Sequence, residues 1–340
     1  MKDPRVVSDL STPAAIIDVD ALDANLTTMS QILPGDRLRP HVKATKCTAL
    51  ARRQVAVGHH HFTCATPREI LGMVRAGVGE SYLLANETLD DGRLRALAAA
   101  QHDALIMVAI DSNETLQAAQ RAGISNVVID VNVGLPRCGV PVDGAGRLAD
   151  AARASGLVVH GVMGYEGHLM MVGDANEKQR KVDESMELLR QAANHVGGTI
   201  ISAGGTGTFN MHAHTGVTDV QAGSYSLMDT QYATLGLPFT QAMYVLGTVI
   251  SRTKDWAVID VGLKSLGMDH GNPHIENATV WFVSDEHTTF SMKDGELPKV
   301  GENVRVTPAH IDPTMAMHEV AWAINGETIV DRWGIDLRGW

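Results

Sequence analysis

Leu38-Arg39-Pro40-His41-Val42-Lys43 is the stretch on which the fold turns. It reads as a short strand ending on a lysine, near the start of a chain in which apolar strand-like runs alternate with helical patterns. Beyond it, the strand candidates are His60–Ala65, Ser81–Ala85, Ala104–Ile110, Asn126–Val133, Leu157–Gly164, Thr199–Ala203 and Asp219–Gly223. Between them lie helical patterns such as Pro67–Ala76, Asp90–Ala100, Asn113–Ala122, Val142–Ala154 and Asn176–His195. Pro67 suits a first helical position, and Asp111-Ser112-Asn113-Glu114 offers N-cap chemistry. Strand then helix, repeated eight times, predicts an α/β fold, a parallel (β/α)8 barrel of the TIM type, with a doubly wound open sheet as its rival. The texture changes after about residue 240. Tyr244–Thr253, Asp255–Val261, Asn277–Val283, Asn303–Thr307 and Glu327–Arg332 are short, β-rich and broken by Gly, Pro and Asp. The expected organisation is a barrel over 20–243, with 1–19 and 244–340 forming a smaller all-β domain; Pro13–Val19 is its opening strand candidate.

Composition excludes several classes of partner. The 340 residues suffice for a sizeable core. A formal net charge of −11 with no Lys/Arg cluster argues against nucleic acid and anionic membrane. Cys47, Cys64 and Cys138 are too few and too scattered for a disulfide framework or a cysteine zinc site. The first ten residues lack a signal-peptide core and no apolar run reaches membrane-spanning length, so a cytoplasmic protein acting on a small molecule is expected.

In a parallel barrel the functional groups gather at the carboxyl ends of the strands, and the loops after strands seven and eight often hold phosphate. Here strand one ends at Lys43, the loop after strand five carries Asn132 and Arg137, and that after strand six carries Tyr165, Glu166 and His168. Strand seven runs into Gly204-Gly205-Thr206-Gly207-Thr208 and strand eight into Gly223-Ser224-Tyr225. Glycines let backbone N–H groups approach an oxyanion, and the threonines add hydroxyl donors. Alone, such a loop is equally a tight turn; after strand seven it points to phosphate. Most lysines are exposed and inert. A lysine on the rim that carries a phosphate loop is a candidate for a Schiff base to a cofactor aldehyde. His41 lies two residues before Lys43, on the same face of an extended strand.

Arg39-Pro40-His41-Val42-Lys43, Gly164-Tyr165-Glu166-Gly167-His168, Ser202-Ala203-Gly204-Gly205-Thr206 and Pro308-Ala309-His310-Ile311-Asp312-Pro313-Thr314 together resemble the D-threonine aldolase/D-serine dehydratase family, of the alanine-racemase-like fold group. The resemblance spans nearly the whole chain. It implies a pyridoxal-phosphate barrel, a β-domain bringing a divalent metal, and a homodimer. Carried over by position, Lys43 is the Schiff-base lysine, His310 and Asp312 are the metal ligands, and His168 takes the proton of the substrate's β-hydroxyl. Where the family more often reads Thr-His-Lys after the lysine, this chain has Ala44-Thr45-Lys46-Cys47. The dehydratase branch typically has cysteine where Asp312 stands, which leans the expectation towards aldolase.

His310 and Asp312, at i and i+2 on an expected extended segment, would point the same way, and imidazole plus carboxylate suits Mn2+, Zn2+, Mg2+ or Co2+. The expected reaction is retro-aldol cleavage of a β-hydroxy-D-amino acid, with Arg137 binding the cofactor's phenolic oxygen or the substrate carboxylate and Tyr165 packing near the cofactor. The rivals are a dehydratase giving keto acid and ammonia, a racemase, and a non-catalytic cofactor carrier. His59-His60-His61, His212, His214, His270 and His274 are read as solvated or hydrogen-bonded residues rather than ligands, and Asp285-Glu286-His287, which resembles a family segment, as at most supporting the ligands from behind.

Overall fold

A computed structural model describes residues 4–340, which divide into two compact units. One comprises Met29–Lys43, Leu50–Gly223 and Gly339–Trp340; the other comprises the segment ending at Thr28, Ala44–Ala49 and Ser224–Arg338. The segment between Ser224 and Met243, expected with the barrel, falls with the β-rich unit.

The first strand, β1 (Ala14–Asp18), belongs to the β-rich unit. Seven parallel strands follow in the other unit: β2 (His61–Cys64), β3 (Ser81–Leu84), β4 (Leu105–Ile110), β5 (Asn126–Asp130), β6 (Val158–Met163), β7 (Ile200–Ala203) and β8 (Asp219–Val220). They pair in sequence order, β2 to β8. Local chemistry sets the intervening helices. Pro67–Ala76 starts on a reciprocal cap between Thr66 and Glu69 and stops at a left-handed Gly77. Asn113–Ala122 starts on Ser112 and stops at a left-handed Gly123. Leu83, Met107, Ala109, Val128 and Met163, from four adjacent strands, form one core cluster.

Leu38–Lys43, expected as the first strand, is not a regular one. Pro40 has no N–H to give to a ladder. The segment instead joins the two ends of the sheet by isolated parallel bridges, Leu38 to Val220 and His41 to Thr63. Arg39 and His41 donate their N–H groups to Val220 and Ala222 at 2.9 and 3.1 Å, and the Pro40 carbonyl accepts from Thr63 at 3.0 Å. An ion pair inside the ring reinforces this eighth stave. Buried Arg39 meets buried Asp219 at 3.3 Å and donates to Ser81 Oγ at 3.2 Å. The chain then winds into a 3-10 turn, Val42–Ala44, that carries Lys43.

The β-rich unit is an antiparallel assembly with one parallel pairing. Its remaining strands are β9 (Met243–Arg252), β10 (Ala257–Ile259), β11 (His274–Ile275), β12 (Ala278–Val283), β13 (Thr288–Met292), β14 (Asn303–Thr307), β15 (Val320–Asn325) and β16 (Thr328–Gly334). The order is β12-β13-β10-β9-β1-β15-β16, with β14 also on β9 and β11 on β14. β1 runs antiparallel to β9 and parallel to β15. Val7, Leu10, Ala14, Ile16, Leu246 and Ile324 form its core cluster. The sequence pattern does not announce β11, β13 or β15. His310-Ile311-Asp312 is not the extended segment expected: His310 caps a short helix, Ile311–Met317, and Asp312 lies in its first turn. Pro313 fits there because first-turn N–H groups have no helical acceptor.

Candidate active site

Lys43 is half-buried, with its N–H 3.4 Å from His41 Nδ1. It leaves the barrel on the carboxyl-end rim, beside β8, and β7 is the next strand over. The Gly204–Thr208 loop therefore rises from the same rim two staves from the lysine, roughly 10 Å at ordinary strand spacing. That juxtaposition fits a cofactor carrying an aldehyde at one end and a phosphate at the other.

A residue the sequence reading left without a role organises that loop. Glu166 is fully buried, and its carboxylate accepts from Gly204 N–H at 3.2 Å and from the Thr208 hydroxyl at 2.7 Å. It also pairs with buried His212 Nε2 at 3.3 Å. Burial alone would push its carboxyl up; the hydrogen bonds and charge of His212, helped by Thr208, hold it below the ordinary value. Gly204 has φ +83°, and a Cβ there would come within 2.7 Å of His212 Nε2, so only glycine admits this packing. Thr208, expected as a phosphate donor, gives its one hydroxyl hydrogen to Glu166 and accepts Gly205 N–H at 3.2 Å. His212 is thus a buried hydrogen-bonded residue and not a solvated one, whereas His214 is exposed.

The Arg137 guanidinium lies 5.3 Å from the centroid of the half-buried Tyr165 ring, so the loops after β5 and β6 meet at these two residues. Tyr165 also packs at the glycine loop: a Cβ on Gly205 would lie 3.4 Å from Tyr165 Cε2. His168 is exposed in a 3-10 turn, Gly167–Leu169, and lies over Gly134; a Cβ on that glycine would be 3.0 Å from its Cε1. Near Arg137, half-buried Glu87, Asp111 and Cys138 gather their polar atoms within 4.8 Å. Buried Asp130 sits beside them, its carboxyl pushed well up by burial and by the charge of Glu87, with Arg137 opposing.

In the β-rich unit, His310 Nε2 and Asp312 Oδ1 lie 4.0 Å apart, with side chains 20% and 13% exposed. A histidine nitrogen and a carboxylate oxygen this near one another would be the side chains to hold a divalent ion. The donor set suits a borderline or hard divalent cation, and with two protein ligands it leaves coordination positions open. Buried Ser224 donates to Asp312 Oδ1 at 3.4 Å. Buried Asp229 accepts from Ile311 N–H at 3.3 Å, which pins the start of the helix that carries Asp312. Burial pushes the Asp229 carboxyl up, against its hydrogen bonds from the Tyr232 and Ile311 N–H groups. Tyr225, grouped by sequence with the phosphate loops, is fully buried against Phe239 at 5.5 Å between ring centroids. Asp285 and Glu286 are exposed and pair with Lys264 at 3.8 and 2.7 Å; exposed His287 belongs to the same turn. His270 stacks on His310, with 3.8 Å between ring centroids.

Fold and site together define a parallel α/β barrel with a rim lysine and an appended antiparallel β unit, the architecture of the alanine-racemase-like enzymes. Residues 17–231 match the model of the alanine racemase N-terminal domain, and residues 242–324 match a putative serine dehydratase domain. The chain belongs to the alanine racemase N-terminal domain family, and pyridoxal phosphate is the cofactor that membership implies. It is 32% identical to a D-threonine aldolase of an Arthrobacter species, over 97% of this chain and 93% of the relative. It is 28% identical to a 3-hydroxy-D-aspartate aldolase of Paracoccus denitrificans, over 98% and 93%. The crystal structure of D-threonine aldolase from Filomicrobium marinum superposes with a TM-score of 0.93 at 32% identity, covering 98% of both chains. Among the described residues no helix is long and apolar enough to cross a membrane.

Proposed function

We propose that the chain is a lyase that cleaves the Cα–Cβ bond of β-hydroxy-D-amino acids, giving glycine or another amino acid plus an aldehyde. One observation carries the reading: the end-to-end relationship to D-threonine aldolase, with Lys43, His310 and Asp312 all present. Lys43 would hold the aldehyde carbon of pyridoxal phosphate, with Thr206 and Gly207 at its phosphate and Arg137 and Tyr165 beside its ring. His310 and Asp312 would hold the divalent ion, for which we propose Mn2+. When bound, the cofactor supplies an electron sink for the pair left on Cα, and the ion supplies Lewis acidity towards the β-hydroxyl. His168 would accept the hydroxyl proton, a contribution of roughly 10²–10⁴-fold for a placed base. The enzyme would be a cytoplasmic homodimer, and a sedimentation mass of one chain would exclude that assembly.

Product analysis with D-threonine, with and without Mn2+, tests the reaction. Glycine and acetaldehyde support it. The serine dehydratase match over 242–324 favours a second reading, in which 2-oxobutanoate and ammonia appear instead. Neither product set would leave the racemase and carrier readings. Borohydride reduction should fix the cofactor's mass on the Lys43 peptide, and its absence there would refute the lysine assignment. D-phenylserine and D-3-hydroxyaspartate, assayed alongside, identify the preferred side chain.

A further inference from the structure

The metal-ligand candidates in the β-rich unit have neighbours that chain position alone does not reveal. Asp269 Oδ2 lies 2.8 Å from His310 Nδ1. An ionised carboxylate has no hydrogen to give, so Nδ1 carries the proton and donates it. Nε2 then keeps its lone pair, and Nε2 is the nitrogen 4.0 Å from Asp312 Oδ1. The His270 ring stacks on the other side of this arrangement, 3.8 Å from the His310 ring and tilted by 11°, with its Nε2 3.6 Å from the same Asp269 oxygen.

The loop that brings Asp269 here is fixed by main-chain geometry. Gly267 forms an isolated antiparallel bridge with His310. Its N–H donates to Thr314 Oγ1 at 2.8 Å, and that hydroxyl donates to the His310 carbonyl at 2.6 Å. A Cβ on Gly267 would fall 2.3 Å from Pro313 Cγ and 2.9 Å from the His310 carbonyl oxygen, so the approach needs glycine. Asp269 is therefore presented to the imidazole by a docked loop.

We propose that Asp269 is the positioning residue of the metal centre, fixing the His310 tautomer and ring angle so that Nε2 faces Asp312, with His270 clamping the ring. The inference rests on the reading of His310 and Asp312 as ion ligands. Carboxylates in this outer position typically change metal affinity by 10–100-fold through ligand orientation and basicity.

Mn2+ titration of the cofactor-loaded full chain, with free ion followed by electron paramagnetic resonance, tests it. Asp269→Ala should weaken Mn2+ binding roughly 10–100-fold. Asp269→Asn, whose Oδ1 can still accept from Nδ1–H, should recover most of that loss, which a general loss of packing would not allow. His310→Ala should abolish the site. Asp269 is 57% exposed, so its removal leaves the fold standing, and Asp269→Ser supplies the same loss if alanine proves insoluble. Affinity within twofold of wild type for Asp269→Ala, with His310→Ala still null, overturns the positioning role alone. Equal and complete loss in the Asp269 alanine and asparagine variants overturns it too, because Asp269 would then be a ligand. Unchanged affinity in His310→Ala overturns the ion-site reading on which the inference rests.

Discussion

The barrel's glycine loop and the His310/Asp312 cap solve opposite problems with the same chemical parts. Each combines histidine, carboxylate and a threonine or serine hydroxyl. In the loop, Glu166, Thr208 and His212 are all buried, and the carboxylate takes two hydrogen bonds and an ion pair. In the cap, the imidazole and carboxylate stand 4.0 Å apart, both partly open, and the bracing groups Asp269 and Asp229 sit outside the pair. A satisfied buried network is rigid and costly to disturb. An open pair is cheap to disturb and would exchange the ion proposed for it. The first suits a shape that must not change, the second a ligand that comes and goes.

Stability measurements can break that contrast. The largest effect is expected from Glu166→Ala, which strands His212, the Thr208 hydroxyl and Gly204 N–H without their acceptor: a loss of about 3–5 kcal/mol in urea unfolding. A cost below about 1 kcal/mol would show that the loop is not held by this network. Acid should act next. Because the native Glu166 carboxyl lies below its ordinary 4.5, its stabilisation is complete above that pH and is lost as pH falls through the native value. The urea midpoint of the wild type should therefore drop more steeply below about pH 4.5 than that of Glu166→Gln, by about 1.4 kcal/mol for each tenfold native preference for the ionised form.

Asp130 gives the opposite sign. Its raised carboxyl costs stability increasingly as pH climbs above the ordinary 3.8. Asp130→Asn should be neutral or stabilising by up to about 1 kcal/mol at pH 7, with the gain vanishing in acid. The smallest change is expected for His310→Ala, within about 0.5 kcal/mol, since its neighbour Asp269 is already solvated. A loss of several kcal/mol there would mean that the cap, like the loop, is a structural network.

The sequence carried the parts of this picture whose chemistry is local. Pro67–Ala76 and Asn113–Ala122 were placed to the residue because their cap residues, apolar spacing and following glycines all lie within a dozen positions. Lys43 and the glycine loop stand out because motif and expected strand end coincide, whereas His310 and Asp312 come forward only through the family resemblance. What was lost depends on distance along the chain. Glu166 meets Thr208 across 42 residues and Asp269 meets His310 across 41, so nothing in either local sequence announces the partner. β15 joins a local hairpin with β16 to a parallel pairing with β1 from the other end of the chain, and only the second of these is beyond local reading. The helix at Ile311 is hard to read locally because Pro313 fits a helix only in its first turn, where it sits.

The stave that carries Lys43 also sets an order of events. Arg39 and Asp219, the ion pair that fastens it, are 180 residues apart in the chain. Joining them closes a loop containing every other strand of the barrel, so the entropic cost of that closure is met by contacts that exist only when the ring is nearly complete. The stave is synthesised first and can meet β2 early through Thr63, but its β8 side can be fastened only once residues near 220 exist. On refolding with pyridoxal phosphate present, colour from the Schiff base proposed at Lys43 should lag the return of helical signal, and simultaneous recovery would show that the seat forms before the ring shuts. A nascent chain shorter than about 220 residues would, by the same logic, be blind to its cofactor.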